Sequence, residues 1–220
     1  MKPGKSSRAW MREHVNDPWV KQAKAQGYRS RAAFKLEEIS RRDRLIHQGS
    51  LVIDLGAAPG GWSQYASRAG AQVIALDVLE MEPLAGVTFL QGDFTSDGTL
   101  AALSGLLKNR RPDLVISDMA PNISGISSRD QAQSIYLCEL ALDFAVMHLK
   151  VGGWFLVKVF QGEGFQQYLS AVRAAFEHVA TRKPQASRDR SSEVYLLARN
   201  PRRPLQMIES SIESAVASKD

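Results

Sequence analysis

A glycine-rich turn and three aspartates are the residues of this 220-residue chain best suited to hold a small ligand. The turn is GAAPGGW at 56–62, directly after the apolar run LVIDL, and Asp77, Asp93 and Asp118 each follow a later apolar run. One aspartate at the end of a strand is commonly only a helix cap. Three of them beside a glycine-rich turn indicate a ligand site, because open α/β sheets bind ligands outside the carboxyl ends of their parallel strands.

The spacing around this turn favours a cofactor that contains a nucleoside. Asp77 lies 21 residues after Gly56, which matches the interval of about 20 expected for a carboxylate that binds a ribose hydroxyl. A dinucleotide site would carry G-x-G-x-x-G. Here Ala58 replaces the second glycine, and Pro59 has no N–H to offer a pyrophosphate. The pattern therefore favours S-adenosylmethionine, which has no phosphate, over NAD.

Lys158 lies in a run, WFLVKVFQ at 154–161, that is otherwise apolar on both faces at a period of two residues. Such a strand belongs in the covered middle of a parallel sheet, where an unpaired ammonium is costly. Either the lysine reaches solvent along its long stem, or it has charged partners. Asp118 is a candidate partner, since both residues lie near the carboxyl ends of their strands.

Two more charged residues are expected near the same edge of the sheet. Lys35 borders the apolar stripe of a helix predicted in SRAAFKLEEISRRDRLI, which could cover that edge. Glu193 begins the apolar run EVYLLAR. If this last strand is antiparallel, its first residue reaches the same edge. Two lysines and two carboxylates would then satisfy one another's charge beside the cofactor.

Short apolar runs that alternate with helical patterns must position these residues. The predicted strands are LVIDL, QVIALD, VTFLQGD, DLVISD, WFLVKVF, HVATRKP and EVYLLAR, and the further helices lie near 62–69, 99–108, 130–149 and 164–176. This alternation predicts an α/β, Rossmann-like fold with a mostly parallel seven-stranded sheet and helices on both faces. The last two runs have no helix between them and predict a terminal antiparallel hairpin.

Charge divides the chain into a mildly acidic body and two basic ends. Residues 1–47 carry 12 Lys and Arg against 5 Asp and Glu, and residues 182–203 carry 7 against 2. The first basic stretch also holds tryptophan and tyrosine, and cations interleaved with aromatic rings suit binding to nucleic acid. A solvated arm is the alternative. We predict a basic arm over 1–29, a single domain over 30–203 and a flexible tail over 204–220.

Composition narrows the class of protein. The single cysteine, Cys138, excludes an internal disulfide. No stretch approaches about 18 uninterrupted apolar residues, and the N-terminal segment lacks the apolar core of a secretory signal. We therefore expect a cytoplasmic protein without a membrane segment. We further expect a monomer without a metal site.

Several motifs resemble those of the FtsJ family of RNA ribose 2′-O-methyltransferases, over roughly residues 25–200. They are FKLEEI, DLGAAPGGWSQY, ALD, LQGDF, ISDMAPNISG, FLVKVFQGEG and SRDRSSEVYLLA. The resemblance implies a class I methyltransferase fold and a set of site residues. The implied catalytic tetrad is Lys35, Asp118, Lys158 and Glu193, and the implied cofactor-binding residues are Gly60, Trp62, Asp77, Asp93 and Asp118.

The resemblance further implies methyl transfer from S-adenosylmethionine to the ribose 2′-hydroxyl of a uridine in 23S ribosomal RNA, within the large ribosomal subunit. Such a hydroxyl is a poor nucleophile, so the protein must align it and accept its proton. Lys158 is then the candidate base, with Lys35 and Glu193 orienting it; a fixed cation that steers the hydroxyl is the alternative. Three other functions stay open: 2′-O-methylation of transfer RNA or a cap, ribosome assembly with incidental methylation, and NAD-linked oxidation.

Overall fold

The computed structural model describes residues 17–121, 127–188 and 191–202. Its strands are β1 (Leu51–Leu55), β2 (Gln72–Asp77), β3 (Val87–Gln91), β4 (Leu114–Ser117), β5 (Trp154–Phe160), β6 (Phe176–Arg182) and β7 (Glu193–Pro201). Its helices are α1 (Pro18–Ala25), α2 (Ala32–Asp43), α3 (Gly61–Arg68), α4 (Asp97–Leu107), α5 (Ser127–His148) and α6 (Phe165–Ala175).

All seven strands form one sheet in the order β3-β2-β1-β4-β5-β7-β6. Neighbouring strands from β3 to β5 pair in parallel. β7 is inserted between β5 and β6 and is antiparallel to both. The predicted α/β class, with a mostly parallel seven-stranded sheet and a terminal antiparallel hairpin, is confirmed.

Helices cover both faces of the sheet. On one face, Leu36 of α2 and Trp62 of α3 belong to a buried apolar cluster with the central strands. On the other face, α4, α5 and α6 contribute Leu103, Ala141 and Val172 to a second cluster. β1 is buried at each of its residues, as expected for a central parallel strand with both faces covered. No helix within the described ranges is long and apolar enough to cross a membrane.

The strand order creates a topological switch point at β1. β2 and β3 lie on one side of β1, and β4 and β5 lie on the other, so a crevice opens at the carboxyl ends of β1 and β4. The N–H of Asp118 donates to the carbonyl of Leu55 at 3.2 Å across this crevice. Gly56 has φ +78°, and a Cβ there would lie 2.6 Å from the Cγ of Met119. The glycine turn and Asp118 are therefore immediate neighbours.

Part of the segment predicted as a basic arm folds against the domain. Asp17 caps α1 by accepting the N–H of Trp19 at 2.9 Å, and Pro18 is the first helical residue. The Trp19 ring contacts the Phe34 ring of α2, with centroids 5.3 Å apart. The dipeptide Asp-Pro is a recognised helix start. Residues 1–16 and 204–220 lie outside the described residues, so the division into arm, domain and tail stays a prediction.

Candidate active site

Two buried ion pairs meet near the carboxyl ends of β4 and β5. The Nζ of Lys158 lies 3.1 Å from Oδ1 of Asp118 and donates to the Asp118 carbonyl at 2.6 Å. The Nζ of Lys35 lies 2.6 Å from Oε1 of Glu193. Between 8% and 21% of each of these side chains is exposed. Lys158 therefore tolerates burial because it is paired, and the alternative in which it reaches solvent is excluded.

The antiparallel β7 brings Glu193 to this edge. In the pairing of β5 with β7, Lys158 lies opposite Tyr195 and Phe160 lies opposite Glu193. The first residue of β7 thus stands beside the end of β5. Lys35 comes from the first turns of α2 and reaches Glu193 from a position 158 residues away in the sequence. The four residues of the predicted tetrad lie together in the structure.

Tyr195 links the two ion pairs and was missed by sequence reasoning. Its hydroxyl donates to Oδ1 of Asp118 at 3.2 Å, and the Lys35 ammonium lies 5.7 Å from its ring centroid. Burial, reinforced by the negative charges of Asp118 and Glu193, raises the pKa of Tyr195 well above its ordinary value of 10. The hydroxyl therefore stays protonated and remains a donor. Alternation along β7 puts residues 193 and 195 on one face, so the period of EVYLLAR contained the signal.

Gly60 and Trp62 form the turn that leads from β1 into α3. Gly60 has φ +104°, and a Cβ there would lie 2.9 Å from Sδ of Met81 and 3.0 Å from Nη1 of Arg29. Only glycine fits this position without displacing its neighbours. The Trp62 indole N–H donates to the Ala32 carbonyl at 2.7 Å, so its side chain joins α3 to α2. What Trp62 can offer a ligand is its backbone N–H in the first helical turn, where amides lack an intrahelical acceptor.

Arg29 links the loop before α3 to the loop after β2, next to Gly60. The sequence patterns did not indicate this residue. Its guanidinium donates to the carbonyls of Pro59 at 3.2 Å, Glu82 at 2.7 Å and Pro83 at 2.9 Å. Its backbone N–H donates to Oε1 of Gln64 on α3 at 2.9 Å. These partners are main-chain carbonyls and a side chain at long sequence separation, so no local pattern marks them.

Asp77 and Asp93 hold the loops that follow β2 and β3. Asp77 accepts the N–H of Ala58 at 2.9 Å through Oδ2 and that of Leu79 at 2.8 Å through Oδ1. Oδ1 of Asp93 accepts the N–H and the hydroxyl of Thr95, and these bonds lower the pKa of Asp93. Each carboxylate oxygen has two lone pairs. Both aspartates therefore keep acceptor capacity for the hydroxyl or amino groups of a ligand.

Two exposed apolar side chains follow Asp77. Val78 is 55% exposed and Leu79 is 64% exposed, and both continue the apolar run ALDVL past the end of β2. They offer an apolar surface to the flat base of a nucleoside whose ribose reaches Asp77. With the glycine turn, these features fit a nucleoside cofactor. Among the described residues, no group of three or more His, Cys, Asp or Glu side chains is arranged to hold a metal ion.

A cavity of about 430 Å³ opens on the side of the Lys35–Glu193 pair. Its lining consists of charged, hydroxyl and small residues from α2 and the loop before β7: Arg31, Ala32, Lys35, Arg188, Ser191 and Glu193. Its volume is within the range of about 300–1,000 Å³ that is typical of small-ligand sites. Its lining includes two guanidinium groups, and that of Arg31 is paired with Asp17 and donates to the Ala186 carbonyl. Guanidinium groups form charge-assisted hydrogen bonds with anionic groups such as a phosphodiester.

Asp54 of β1 is a buried carboxyl that sequence reasoning missed. It is fully buried, its Oδ2 accepts the hydroxyl of Ser63 at 2.7 Å, and its Oδ1 has no hydrogen-bond partner. Burial, followed by the repulsion of Asp118 and Asp77, raises the pKa of Asp54 from 3.8 to about 7, although the Ser63 bond opposes this. The central run LVIDL therefore contains an acid that is neutral below that pH.

This raised pKa predicts that Asp54 makes folding stability fall as pH rises from about 4 to about 7. The folded chain keeps the proton over this range while the unfolded chain loses it, and the difference reaches at most about 4 kcal/mol. Asp54→Asn should remove this part of the pH dependence in urea unfolding curves. Asp97→Asn, at an exposed position, should keep the pH dependence of the wild type. If the free energy of unfolding changes with pH equally in Asp54→Asn and in the wild type, the assignment is wrong.

The arrangement joins two kinds of site at one edge of the sheet. The glycine turn, Asp77 and the apolar surface after it can hold a nucleoside cofactor. Next to them, two lysines, two carboxylates and a protonated tyrosine can orient a hydroxyl group and receive its proton. A reaction in which a hydroxyl attacks an electrophilic group of the cofactor is what this geometry supports.

Comparison with known proteins agrees with this chemistry. The family model described as FtsJ-like methyltransferase matches residues 28–201. The chain is 61% identical over 200 residues to a protein of Azoarcus sp. (strain BH72) named ribosomal RNA large subunit methyltransferase E, covering 90% of this chain and 98% of that one. A protein of the same name from Neisseria meningitidis serogroup C is 59% identical over 201 residues, with the same coverage.

A solved structure gives the same result at the level of the fold. It is a ribosomal RNA methyltransferase from Plasmodium falciparum, with a TM-score of 0.69 and 27% identity, covering 79% of this chain and 98% of that one. The family model spans nearly all of the described residues, including the glycine turn and all four residues of the two ion pairs. The chain belongs to the FtsJ-like methyltransferase family.

Proposed function

We propose that this protein transfers a methyl group from S-adenosylmethionine to the ribose 2′-hydroxyl of a uridine in 23S ribosomal RNA of the large ribosomal subunit. The observation that carries the proposal is the pair of buried ion pairs, Lys35–Glu193 and Lys158–Asp118, beside the glycine turn at the switch point of the sheet. The names of the two bacterial relatives support the choice of RNA. We assign the activity to a cytoplasmic monomer.

The cofactor contacts follow from the turn and the strand ends. Asp77 would accept the ribose hydroxyls of the cofactor, Val78 and Leu79 would cover its base, and Asp93 would accept from an amino group of the cofactor. The backbone of Gly60 and Trp62 would hold the amino-acid end of the cofactor. When bound, S-adenosylmethionine supplies a methyl group on a positively charged sulfur, which needs alignment rather than activation.

The substrate hydroxyl needs a group that takes its proton. Lys158 is our candidate because the carbonyl and the carboxylate of Asp118 fix the position of its Nζ. Only the neutral amine can accept a proton, so the ammonium must lose its own proton before the hydroxyl is attacked. Glu193 and Lys35 line the cavity, with the Lys35 ammonium 5.7 Å from the Tyr195 ring centroid, and they would orient the ribose. Arg188 of the same cavity is our candidate to attract a flanking phosphate. Arg31, which also lines the cavity, is paired with Asp17.

The experiment that tests the proposal is ribose-methylation mapping of total RNA from cells with and without the gene. One uridine of 23S ribosomal RNA should lose its 2′-O-methyl group. The purified protein should restore the group on that RNA, supplied as naked RNA and as isolated large subunits, with S-adenosylmethionine and not with NAD. Loss of methylation in transfer RNA or at a cap instead would contradict the choice of substrate. Ribosome assembly restored equally by an inactive variant would favour an assembly factor.

Removal of residues 1–16 should weaken RNA binding and reduce its dependence on salt. This segment carries four Lys and Arg against one Glu, and each phosphate that a protein neutralises adds about 0.7 to the salt slope on single-stranded nucleic acid. We expect the slope to fall by about 2. Cofactor affinity should be unchanged because the deletion leaves α1 and Arg29 in place. An unchanged slope in filter binding at several salt concentrations would exclude the arm from the RNA interface.

A further inference from the structure

The loop between β6 and β7 leads into Glu193, the first residue of β7. The Glu193 carbonyl lacks the backbone N–H donor that a regular hairpin would supply. In the pairing of β6 with β7, Arg182 lies opposite Tyr195, so the next hydrogen-bonded pair would join residues 184 and 193. Residue 184 is proline and has no N–H to donate. The ladder therefore stops just before it reaches Glu193.

The carbonyls at this point face away from β5. The carbonyl of Ser192 accepts the N–H of Gln161, the residue after β5, at 2.9 Å. Because carbonyls alternate along a strand, those of Ser191 and Glu193 point to the β6 side, where Pro184 cannot serve them. Unsatisfied carbonyls at a partly buried edge are costly.

Lys183 supplies the missing donors from its side chain. Its Nζ donates to the Ser191 carbonyl at 2.7 Å and to the Glu193 carbonyl at 2.5 Å. A second local bond, from the Glu193 N–H to Oγ of Ser191 at 3.2 Å, tightens the same turn. One ammonium thus replaces the ladder bond that Pro184 removes and fixes the backbone from which the Glu193 carboxylate projects.

The outer side of this loop is fixed to α2. The N–H of Gln185 donates to Oε2 of Glu38 at 2.8 Å, and Arg182 forms two hydrogen bonds with Asp43, at 2.8 Å and 2.6 Å. The same helix carries Lys35, the partner of Glu193. The position of Glu193 relative to Lys35 therefore depends on how firmly the start of β7 is held, and Lys183 holds it from within the loop.

We propose that Lys183 is a positioning residue, which fixes the start of β7 and thereby holds the Glu193 carboxylate against Lys35 for methyl transfer. The inference rests on the proposed function, because it takes its importance from Glu193. Lys183 need not contact the cofactor or the RNA. Its role is to keep the Glu193 carboxylate close to its productive position, because small displacements of a site group slow a reaction.

A double-mutant cycle with Glu193 tests the coupling. Lys183→Met keeps the apolar stem and removes the donors, and it should lower the single-turnover rate about 10-fold without changing cofactor affinity. In a Glu193→Ala background the same change should cost no further rate. Lys183→Arg, which keeps donors, should recover most of the loss. Lys108→Met, the same change at the exposed end of α4, should leave the rate unaltered.

Hydrogen exchange gives a readout that does not depend on activity. Lys183→Met should speed exchange in the peptide 191–197 and leave the peptide 51–55 of the central strand unchanged. Equal rate losses in both backgrounds, or wild-type exchange at 191–197, would overturn the inference. A wild-type rate for Glu193→Ala would instead remove Glu193 from the proposed mechanism, while the exchange result would still decide whether Lys183 holds the strand.

Discussion

Replacing Lys158 with alanine should lower the single-turnover rate of methyl transfer by about 10²- to 10⁴-fold, the range expected for loss of a general base. The Lys158 ammonium is bonded to both the carbonyl and the carboxylate of Asp118 near the carboxyl end of β5, and 8% of its side chain is exposed. Cofactor and RNA should still bind, because neither the glycine turn nor the basic ends are altered. Quench-flow assays with saturating substrates, together with separate binding titrations, measure both results.

Arginine at position 158 separates the two roles open to the lysine. Arg keeps the positive charge but cannot lose a proton at accessible pH. If Lys158 takes the proton of the 2′-hydroxyl, Lys158→Arg should be nearly as slow as Lys158→Ala. The wild-type rate should then rise with pH to a plateau. Appreciable activity in the arginine variant would identify a fixed cation that steers the hydroxyl.

Stability must be measured alongside these rates. Alanine leaves Asp118 with the Tyr195 hydroxyl but without its cation, and an uncompensated buried charge is destabilising. Lys158→Met keeps the apolar stem, so it should leave a smaller gap around position 158 than Lys158→Ala does. Its loss of rate should be the same as that of Lys158→Ala. Lys150→Ala is the matched control, because this exposed lysine pairs with Asp113 just before β4, at the opposite edge of the sheet. Rates close to the wild type for all three Lys158 variants would end the catalytic proposal.

The second large effect is expected at Asp77. Asp77→Ala should weaken S-adenosylmethionine binding about 10- to 150-fold, since a hydrogen bond to a charged group contributes about 1.5–3 kcal/mol. The carboxylate also holds the N–H groups of Ala58 and Leu79, so its loss loosens the turn and the loop that would face the cofactor. Isothermal titration calorimetry measures the change directly.

Asp77→Asn separates two causes of the lost affinity, the loosened loop and the lost charged contact with the cofactor. Asparagine keeps one acceptor oxygen and loses the charge, so we expect a smaller loss of affinity than for alanine. Asp97→Ala, at the exposed start of α4, should bind the cofactor like the wild type, and RNA affinity should be the same in all of these variants. Wild-type affinity in Asp77→Ala would remove Asp77 from the cofactor site.

Sequence patterns could predict the parts of the molecule that depend on local periodicity. The alternation of WFLVKVF places Lys158 in a covered strand, and the absence of a helix before EVYLLAR implies an antiparallel last strand. Together they bring Glu193 to the end of β5, which the register confirms. The strand predicted in VTFLQGD ends earlier than expected, at Gln91. The N–H of Gly92 makes the last bond of its ladder with β2, to the Asp77 carbonyl at 2.9 Å.

The contacts that sequence patterns could not predict join distant positions through the main chain. Arg29 binds carbonyls of residues 59, 82 and 83, and a carbonyl is present at every position, so no residue type marks the partners. Asp54 is unusual because its buried Oδ1 has no hydrogen-bond partner. That absence depends on how the core packs around it, which the sequence pattern does not reveal. The helix α1 was missed for a different reason, because the Asp17–Pro18 start signal stands in a segment whose charge pattern suggested an arm.

The place of β7 in the sheet has a consequence for how the enzyme is made. β7 is the last of the described strands in the chain, yet it lies between β5 and β6 and carries both Glu193 and Tyr195. A nascent chain that ends before residue 193 contains all five parallel strands and the glycine turn, but it lacks the strand that joins β6 to β5. All the residues that we propose for the cofactor site are therefore synthesised before Glu193 and Tyr195, which complete the proposed catalytic cluster. Under our proposal, the chain can orient a hydroxyl for methyl transfer only after this last strand has entered the sheet.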